Sequence, residues 1–266
     1  MVTLQWLIDK MQAWAPENTA EDFDNVGLLL GDRTKPVKKV LVALDATDAV
    51  IQEAIENNFD AIITHHPLTY QPLKKITACD PIGRKLLTLA KNNISLYAAH
   101  TNLDKAHGGV NDVLASILEI ENCAPMAADK NDNSIGIGRI GELPNEKTLA
   151  QLAEYVKEKL ALPNIRYSGN LSAKIKKIAL CGGSGMGFWQ AARDADCDVY
   201  ITGDVKYSDA LQVLDCGMTI LDITHYSGEN IIVEAIVKKL NACAINEGMD
   251  VAFTATDING QIFFTM

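Results

Sequence analysis

The chain has 266 residues, 48% of them hydrophobic and 22% charged, which suits a globular protein of one large domain or two ordinary ones. A formal net charge of −10 at pH 7 argues against a general nucleic-acid-binding surface. No apolar run of the sequence approaches the ~18 residues of a membrane-spanning helix, and the N-terminal stretch does not have the pattern of a signal peptide. We therefore expect a cytoplasmic protein with no membrane partner.

The six cysteines are scattered along the sequence, and no two of them form a Cys-x-x-Cys pair. Cysteines in this pattern are typical of reduced core residues in a cytosolic protein. We therefore predict neither a disulfide framework nor a thiolate metal site.

The first half of the chain alternates predicted strands and helices. An amphipathic helix is predicted to begin after Thr3 and to end before Pro16, and an acidic, turn-rich loop at residues 20–32 leads into a short strand. Further strands are predicted at 40–45, 59–64 and 94–99, and further helices at 48–57, 84–92 and 110–118. This alternation indicates a doubly wound α/β unit with a parallel sheet.

Two adjacent histidines and a proline end the strand predicted at 59–64. Because proline has no N–H to donate to a sheet, the strand should stop at Pro67, and open α/β sheets bind ligands at the carboxyl ends of their strands. The imidazoles of His65 and His66 are therefore candidate ligands for a borderline divalent metal. The alternative is a pair of ordinary surface or helix-capping histidines.

The composition changes between residues 121 and 146, where Asn, Asp, Gly and Pro accumulate around one edge strand predicted at 135–140. We interpret this change as a domain boundary, with a first α/β lobe at 1–128 and a second at 129–266. A C-terminal strand within 250–266 is a candidate to pack back on the first lobe.

A glycine-rich segment, Gly182 to Gly187, follows a helix predicted at 149–160 and a strand predicted at 175–181. Such a turn could cradle a phosphate on its backbone N–H groups. It has neither the spacing nor the lysine of a P-loop, and a close strand-to-helix turn is the commoner explanation.

The second half of the chain repeats the pattern of the first. Residues 38–64 align without a gap on residues 176–202, and each segment begins with two lysines and ends with a threonine. The double histidine of the first half corresponds to Gly203-Asp204 in the second. This similarity favours an internal duplication, and the alternative is chance likeness between two α/β units.

Each half also ends a later strand with a histidine that a carboxylate follows four residues on. His100 and Asp104 have this spacing in the first half, and His225 and Glu229 have it in the second. Two lobes that face one another would bring both sets of strand ends to one cleft. A mixed set of five or more His and carboxylate ligands suits two divalent ions ~3.5–4 Å apart, whereas a structural zinc typically uses four ligands that include thiolates. Each histidine taken singly could instead be an ordinary buried, hydrogen-bonded residue.

Six separated motifs, in order along nearly the whole chain, carry a resemblance to one family. They are Asp24-Asn25-Val26-Gly27-Leu28, His65-His66-Pro67-Leu68, His100-Thr101-Asn102-Leu103-Asp104, Gly182-Gly183-Ser184-Gly185, Ile201-Thr202-Gly203-Asp204 and His225-Tyr226-Ser227-Gly228-Glu229. The chain resembles the toroidal dinuclear metal-binding proteins that are named GTP cyclohydrolase 1 type 2 homologues.

The resemblance implies that two divalent ions, whether Zn, Fe, Mn, Co or Ni, are held by His65, His66, Asp104, His225 and Glu229. It also implies two similar three-layer α/β lobes with mostly parallel sheets and the metal site in the cleft between them. The implied assembly is a homohexameric ring, a trimer of dimers, with the metal sites facing an internal cavity. Some relatives insert an extra domain between the lobes, which a chain of this length should lack.

Two positions depart from the pattern of many relatives. Phe23 stands where a tryptophan is common, and Ser208 stands where a histidine is common shortly after the Thr-Gly-Asp motif. We interpret the first departure as a packing change. The second removes a candidate imidazole for contacts near the metals or with substrate.

Two divalent ions can make hydroxide available near neutral pH, so we predict a metal-dependent hydrolase of a small nucleotide-like substrate, which the resemblance describes as GTP cyclohydrolase-like. His100 is a candidate to orient Asp104 or to move protons, and Asp204 and Asp45 are candidates to line the cleft.

A non-enzymatic protein that stores, senses or delivers metal is the alternative function. A positive or aromatic nucleotide pocket beside the metals would distinguish the two, and the weak candidates for it are Lys206, Tyr207, Tyr226 and Arg139. A third interpretation, in which the metals only cement the assembly, fits less well because His and carboxylate sites leave coordination positions open.

Overall fold

The computed structural model describes residues 1–264, and these residues form two compact units. The first unit contains Met1–Leu103 and Ile232–Gly260. The second unit contains Asp104–Ile231 together with the C-terminal residues from Gln261.

The helices and strands are numbered here in chain order. As far as residue 118 they are α1 (Leu4–Trp14), β1 (Gly27–Leu30), β2 (Lys39–Ala43), α2 (Asp48–Glu56), β3 (Ala61–Thr64), α3 (Pro81–Lys91), β4 (Ser95–Ala98), α4 (Thr101–Lys105) and α5 (Val110–Ile117). From residue 121 they are β5 (Glu121–Ala128), β6 (Gly136–Thr148), α6 (Leu149–Lys159), β7 (Arg166–Ser168), β8 (Lys174–Leu180), α7 (Trp189–Asp194), β9 (Val199–Thr202), α8 (Tyr207–Asp215), β10 (Thr219–Asp222), α9 (His225–Glu229), α10 (Ile231–Glu247) and β11 (Ala252–Ala255).

The first unit is built on a five-stranded sheet in the order β1-β4-β3-β2-β11. Its strands are parallel except for β1, which runs antiparallel to β4. Every residue of β3 and of β4 is buried. Because successive side chains of a strand point to opposite faces, both faces of this sheet are covered, which explains why its central strands are continuous apolar runs in the sequence.

The first sheet takes strands from both ends of the described chain. Strand β11 pairs in parallel with β2, with Ala252 opposite Lys39 and Ala255 opposite Val42. The C-terminal segment predicted at 250–266 extends beyond this strand, and Thr265 and Met266 lie outside the described residues.

The division into units differs from the predicted lobes at 1–128 and 129–266. It falls inside α4, between Leu103 and Asp104, and the chain returns to the first unit at Ile232. Strand β5 belongs to the second unit because it pairs with β6. The pairing of β11 with β2 joins segments far apart in the sequence, and the change of composition at 121–146 carries no information about it.

The second unit is built on a six-stranded sheet in the order β5-β6-β8-β9-β10-β7. Only the pairs β8–β9 and β9–β10 are parallel, whereas β5–β6, β6–β8 and β7–β10 are antiparallel. The prediction of a mostly parallel sheet is therefore wrong for this unit. Asn, Asp, Gly and Pro obscured two long strands, and Pro125 is tolerated because β5 lies at the sheet edge.

Two apolar clusters cover the two faces of the second sheet. Ile178 of β8 belongs to a cluster that includes Leu152 of α6. The next residue, Ala179, belongs to a different cluster that includes Trp189 of α7. Since neighbouring residues of a strand point to opposite faces, this unit has three layers, with helices on both sides of the sheet.

Each unit contains the same aspartate contact, at equivalent positions of the segments 38–64 and 176–202. In the first unit, Asp60 Oδ2 accepts hydrogen bonds from the two backbone N–H groups of Lys38-Lys39, at 2.7 and 3.0 Å. In the second unit, Asp198 Oδ2 accepts from the N–H groups of Lys176-Lys177, both at 2.8 Å. Asp60, just before β3, thus connects to the start of β2, and Asp198, just before β9, connects to the middle of β8.

Among residues 1–264, no helix is both long enough and apolar enough to cross a bilayer.

Candidate metal centre

The first unit brings three predicted site residues together at the carboxyl ends of neighbouring parallel strands. His65 and His66 follow β3 directly, and His100 follows β4. One ring nitrogen of each histidine lies within 4.8 Å of those of the other two, and the three ring centroids are 5.1–5.5 Å apart. This set, called the histidine cluster below, places three imidazoles where a single ion could contact them.

The Nδ1 atoms of the paired histidines are held by protein acceptors. His65 is fully buried, and its Nδ1 lies 2.8 Å from the carbonyl oxygen of Ala99. A carbonyl oxygen can only accept, so this Nδ1 carries the hydrogen and Nε2 has the lone pair that can ligate. His66 Nδ1 lies 2.9 Å from Asp45 Oδ1, so Asp45 contacts a candidate ligand directly.

Asp24 holds the third histidine. Both of its carboxylate oxygens lie 3.0 Å from His100 Nδ1, and Oδ2 also accepts from the N–H of Thr101 at 3.0 Å. Burial by itself would raise the pKa of Asp24, but the hydrogen bonds from His100 and Thr101 outweigh it and hold the pKa well below its usual range. The ionised carboxylate can only accept, so His100 also donates through Nδ1 and can ligate through Nε2.

Asp24 was not among the predicted site residues. It lies 76 residues before His100 in the sequence, in a turn-rich loop with no periodic pattern. The only signal that could have found it is the motif Asp24–Leu28, which the resemblance already used.

The second unit brings the remaining predicted residues together. His225 and Glu229 are the ends of the one-turn helix α9, and their spacing of four residues places them on one face, with Nε2 and Oε2 2.9 Å apart. His225 Nδ1 lies 2.7 Å from Asp204 Oδ2. The Asp104 and Glu229 carboxylates each offer an oxygen within 4.8 Å of the other's. These four residues form the carboxylate cluster named below.

The backbone is strained at Asp204 of the carboxylate cluster and at Thr224, the residue before His225. Thr224, which precedes His225, has φ 65°, and Asp204 has φ 53°. Positive φ is uncommon for residues other than glycine and is a clear outlier for a β-branched residue such as threonine. Strain of this kind collects at functional sites, so the placement of His225 against Asp204 is consistent with a binding role.

The glycine-rich segment lies against Glu229. Gly183 has φ +63°, and a Cβ built on it would lie 1.9 Å from Glu229 Oε1. The N–H of Gly182 is donated to Asn111 Oδ1 at 2.9 Å. These contacts favour a close strand-to-helix turn that makes room for a buried carboxylate over a phosphate cradle.

Cys181 is buried beside the carboxylate cluster. Burial raises the pKa of its thiol, and the negative charges of Asp104 and Glu229 raise that pKa further. The thiol is therefore protonated at neutral pH and is a poor ligand. All six cysteines are free, but the expectation of core positions holds only in part, because Cys79, Cys123 and Cys216 are exposed.

Arg139, a weak candidate for a nucleotide pocket, is used inside the second unit. Its side chain is 3% exposed, its Nε lies 2.5 Å from Asp112 Oδ1, and its Nη1 donates to the Gly136 and Gly138 carbonyls at 2.7 and 2.8 Å. Burial by itself would raise the pKa of Asp112, but the Arg139 guanidinium, the Gly108 N–H and other nearby groups together hold it below its usual value. This pair is an internal ion pair of the fold. Lys206 and Tyr207 are exposed, and Tyr226 is half-buried.

The two departures from the family pattern both lie at the surface. Phe23 is 61% exposed, so any packing change that follows from its replacement of a tryptophan lies at the surface of the unit and not in its core. Ser208 is exposed in the first turn of α8, where its hydroxyl contacts the carboxylate of Asp209 at 3.3 Å.

An aromatic ring that the sequence did not single out lies beside the histidine cluster. The Tyr70 ring centroid is 5.7 Å from that of His100, with the planes inclined by 59°. Tyr70 is 43% exposed. The first unit therefore presents a partly exposed aromatic surface next to its imidazoles.

The profile of the Duf34/NIF3 (NGG1p interacting factor 3) family matches residues 2–260 of the chain. A Clostridium perfringens protein named GTP cyclohydrolase 1 type 2 homolog is 43% identical over 223 residues, which cover 84% of this chain and 85% of that protein. The crystal structure of a Bacillus cereus protein related to NIF3 superposes with a TM-score of 0.95 at 26% identity, covering 100% of this chain and 99% of the other.

A relative of the same name from Bacillus subtilis is 27% identical over an alignment of 366 positions, which covers 97% of this chain and 98% of that protein. Since this chain has 266 residues, the alignment must contain about a hundred positions that only the relative fills. This difference in length agrees with the expectation that the chain lacks the extra domain that some relatives insert.

Proposed function

Since this chain belongs to the Duf34/NIF3 family, we propose that it binds two divalent metal ions and hydrolyses a small nucleotide-like substrate. One observation supports the metal binding above all others. In the histidine cluster, His65, His66 and His100 each have Nδ1 held by a protein acceptor, and their ligand nitrogens converge within 4.8 Å. Orienting acceptors of this kind are a regular feature of histidines that bind metal.

The proposed ligands are those implied by the family resemblance. They are His65 and His66 of the first unit and Asp104, His225 and Glu229 of the second, with His100 as a further candidate. Imidazole and carboxylate ligands suit Zn, Fe, Mn, Co and Ni alike, so the donor set does not select one metal. Bound ions would supply a water molecule acidified towards neutrality for attack on a carbonyl, a ring carbon or a phosphorus centre.

The chain's own residues have separate parts in this proposal. Asp45, Asp24 and Asp204 accept from His66, His100 and His225, which fixes the tautomer and orientation of each ring. Tyr70 offers an aromatic face on which a nucleobase could stack. This aromatic surface supports a nucleotide-like substrate over a metal site without a substrate.

We also propose that the two units arose by internal duplication. The equivalent contacts of Asp60 and Asp198 with the lysine pairs of their units support a common origin. In this proposal the paired histidines are the feature that distinguishes the first copy, because the second copy has Gly203-Asp204 at that position.

Native mass spectrometry of the purified, metal-loaded protein tests the assembly and the metal count together. We expect a homohexamer, a trimer of dimers, that carries about two ions per chain. One tightly held ion per chain would contradict the dinuclear proposal. A dimer or monomer with two ions per chain would contradict only the ring.

Hydrolysis is tested by incubating the metal-loaded protein with GTP and related nucleotides and measuring formate and phosphate. We expect product from the wild-type protein and a large loss in His65→Ala, because that variant removes a fully buried candidate ligand. The matched control is His107→Ala, which changes the one histidine outside both clusters and should leave the rate unchanged. Equal amounts of product from the wild-type protein and from His65→Ala would contradict the hydrolase proposal.

Non-enzymatic storage, sensing or delivery of metal is the second candidate function. The ion pair of Arg139 with Asp112 favours this second function, because the guanidinium that was a candidate for nucleotide contact is already used inside the fold. In that case the protein would bind and exchange its ions while the nucleotide assay shows no product above the His65→Ala background.

A further inference from the structure

We propose that Asn111 is a positioning residue for the carboxylate cluster, an inference that rests on the proposed metal binding. Asn111 lies in the first turn of α5 and is 1% exposed. Its Nδ2 donates to the backbone carbonyl oxygen of Asp104 at 3.1 Å, and its Oδ1 accepts from the N–H of Gly182 at 2.9 Å. One side-chain amide thus joins the backbone of one proposed ligand to the glycine-rich turn.

The glycine-rich turn contacts the other carboxylate. A Cβ built on Gly182 would lie 3.3 Å from Glu229 Cγ, and a Cβ on Gly183 would lie 1.9 Å from Glu229 Oε1. A shift of this turn would therefore move the surface against which Glu229 packs. Because Asn111 holds both the turn and Asp104, it sets the separation of the two carboxylates, whose nearest ligand oxygens lie within 4.8 Å.

The chemistry of this position requires an amide. Asparagine supplies a donor and an acceptor from one short, planar group. An ionised aspartate of the same shape can only accept, and leucine can do neither. The contacted groups are the Asp104 carbonyl and the Gly182 N–H. If either hydrogen bond is lost, a backbone polar group near buried residues has to move to find another partner.

The first unit offers a matched control, because Asn241 makes the same pair of bonds elsewhere. Its Nδ2 donates to the Phe253 carbonyl at 2.8 Å, and its Oδ1 accepts from the Phe253 N–H at 3.0 Å. Asn111→Asp and Asn241→Asp each keep the accepting oxygen and lose the donor. The experiment measures the dissociation constant of Zn²⁺ by competition with a chromophoric chelator, the visible spectrum of the Co²⁺-loaded protein, and the unfolding midpoint of the metal-free protein.

We expect Asn111→Asp to weaken Zn²⁺ binding about 10- to 100-fold, as is typical when a partner behind the ligands is lost. We also expect a changed Co²⁺ spectrum. Asn241→Asp should lower the unfolding midpoint to a similar degree and leave both metal readouts unchanged. The negative charge added at position 111 would by itself favour a cation, so a loss of affinity has to come from geometry.

Equal Zn²⁺ affinity in Asn111→Asp and Asn241→Asp, with wild type binding metal, would overturn this inference alone. A wild-type protein that binds no Zn²⁺ would overturn the proposed function and this inference with it. If Asn111→Asp does not fold, amide hydrogen exchange of the wild-type protein decides the question. The proposal requires slow exchange at Gly182 that slows further with Zn²⁺, and fast exchange at Gly182 in both states would refute it.

Discussion

Alanine in place of His66 is expected to remove at least one metal ion per chain while leaving the fold in place. The substitution deletes a candidate ligand, so binding should weaken by more than the roughly 10- to 100-fold that follows loss of an outer partner. The His66 side chain is 15% exposed and its partner Asp45 is 45% exposed, so Asp45 stays hydrated when the imidazole is gone. Metal content by elemental analysis and far-UV circular dichroism measure the two outcomes.

His107→Ala is the matched control, because His107 is an exposed histidine outside both clusters. It should retain the metal content of the wild type. If His66→Ala held as many ions as His107→Ala, with similar affinity, His66 would not be a ligand and the proposed centre would have to be reassigned to other residues.

Gly183→Ala is expected both to destabilise the protein and to impair metal binding. A residue with a Cβ in the left-handed region costs about 1–3 kcal/mol of folding free energy. The new Cβ would also lie 1.9 Å from Glu229 Oε1, and Glu229 is only 4% exposed, so its carboxylate has to leave its place. Urea unfolding of the metal-free protein and the Zn²⁺ dissociation constant measure the two effects.

Gly187→Ala controls for the loss of a glycine in the same segment. A Cβ built on Gly187 meets no atom within 4 Å, and its φ lies outside the left-handed region. We expect unchanged metal binding and a stability equal to or slightly above that of wild type. A Gly183→Ala protein that bound Zn²⁺ as tightly as Gly187→Ala would show that the position of Glu229 does not matter for the site.

The family resemblance inferred from the six motifs is confirmed, since the family profile matches residues 2–260. The local pattern of the first unit was also predictable. Buried parallel strands such as β3 are continuous apolar runs, and a proline three residues after the end of that strand leaves His65 and His66 at its carboxyl end. The position of β3 and of the two histidines at its end depends only on local signals, namely hydrophobic periodicity and turn residues.

The antiparallel part of the second sheet was not predictable from the same signals. In β5 and β6, residues that favour turns occupy paired strands, and tertiary pairing overrides local preference there. The pairing of β11 with β2 joins segments about two hundred residues apart, and neither segment carries a mark of the other. Asp24 was missed for the same reason, because its role depends on a contact with His100 that only the folded chain makes.

The acceptors behind the histidine cluster have a consequence for the charge of the ion it would hold. In the proposed site, His65, His66 and His100 would coordinate an ion as neutral rings, so they would contribute no negative charge. The compensation comes from Asp45 and Asp24, which contact the far nitrogens of two rings and together carry two negative charges when ionised. The two ionised aspartates would therefore balance a divalent cation held by the three rings before any carboxylate of the second unit is counted.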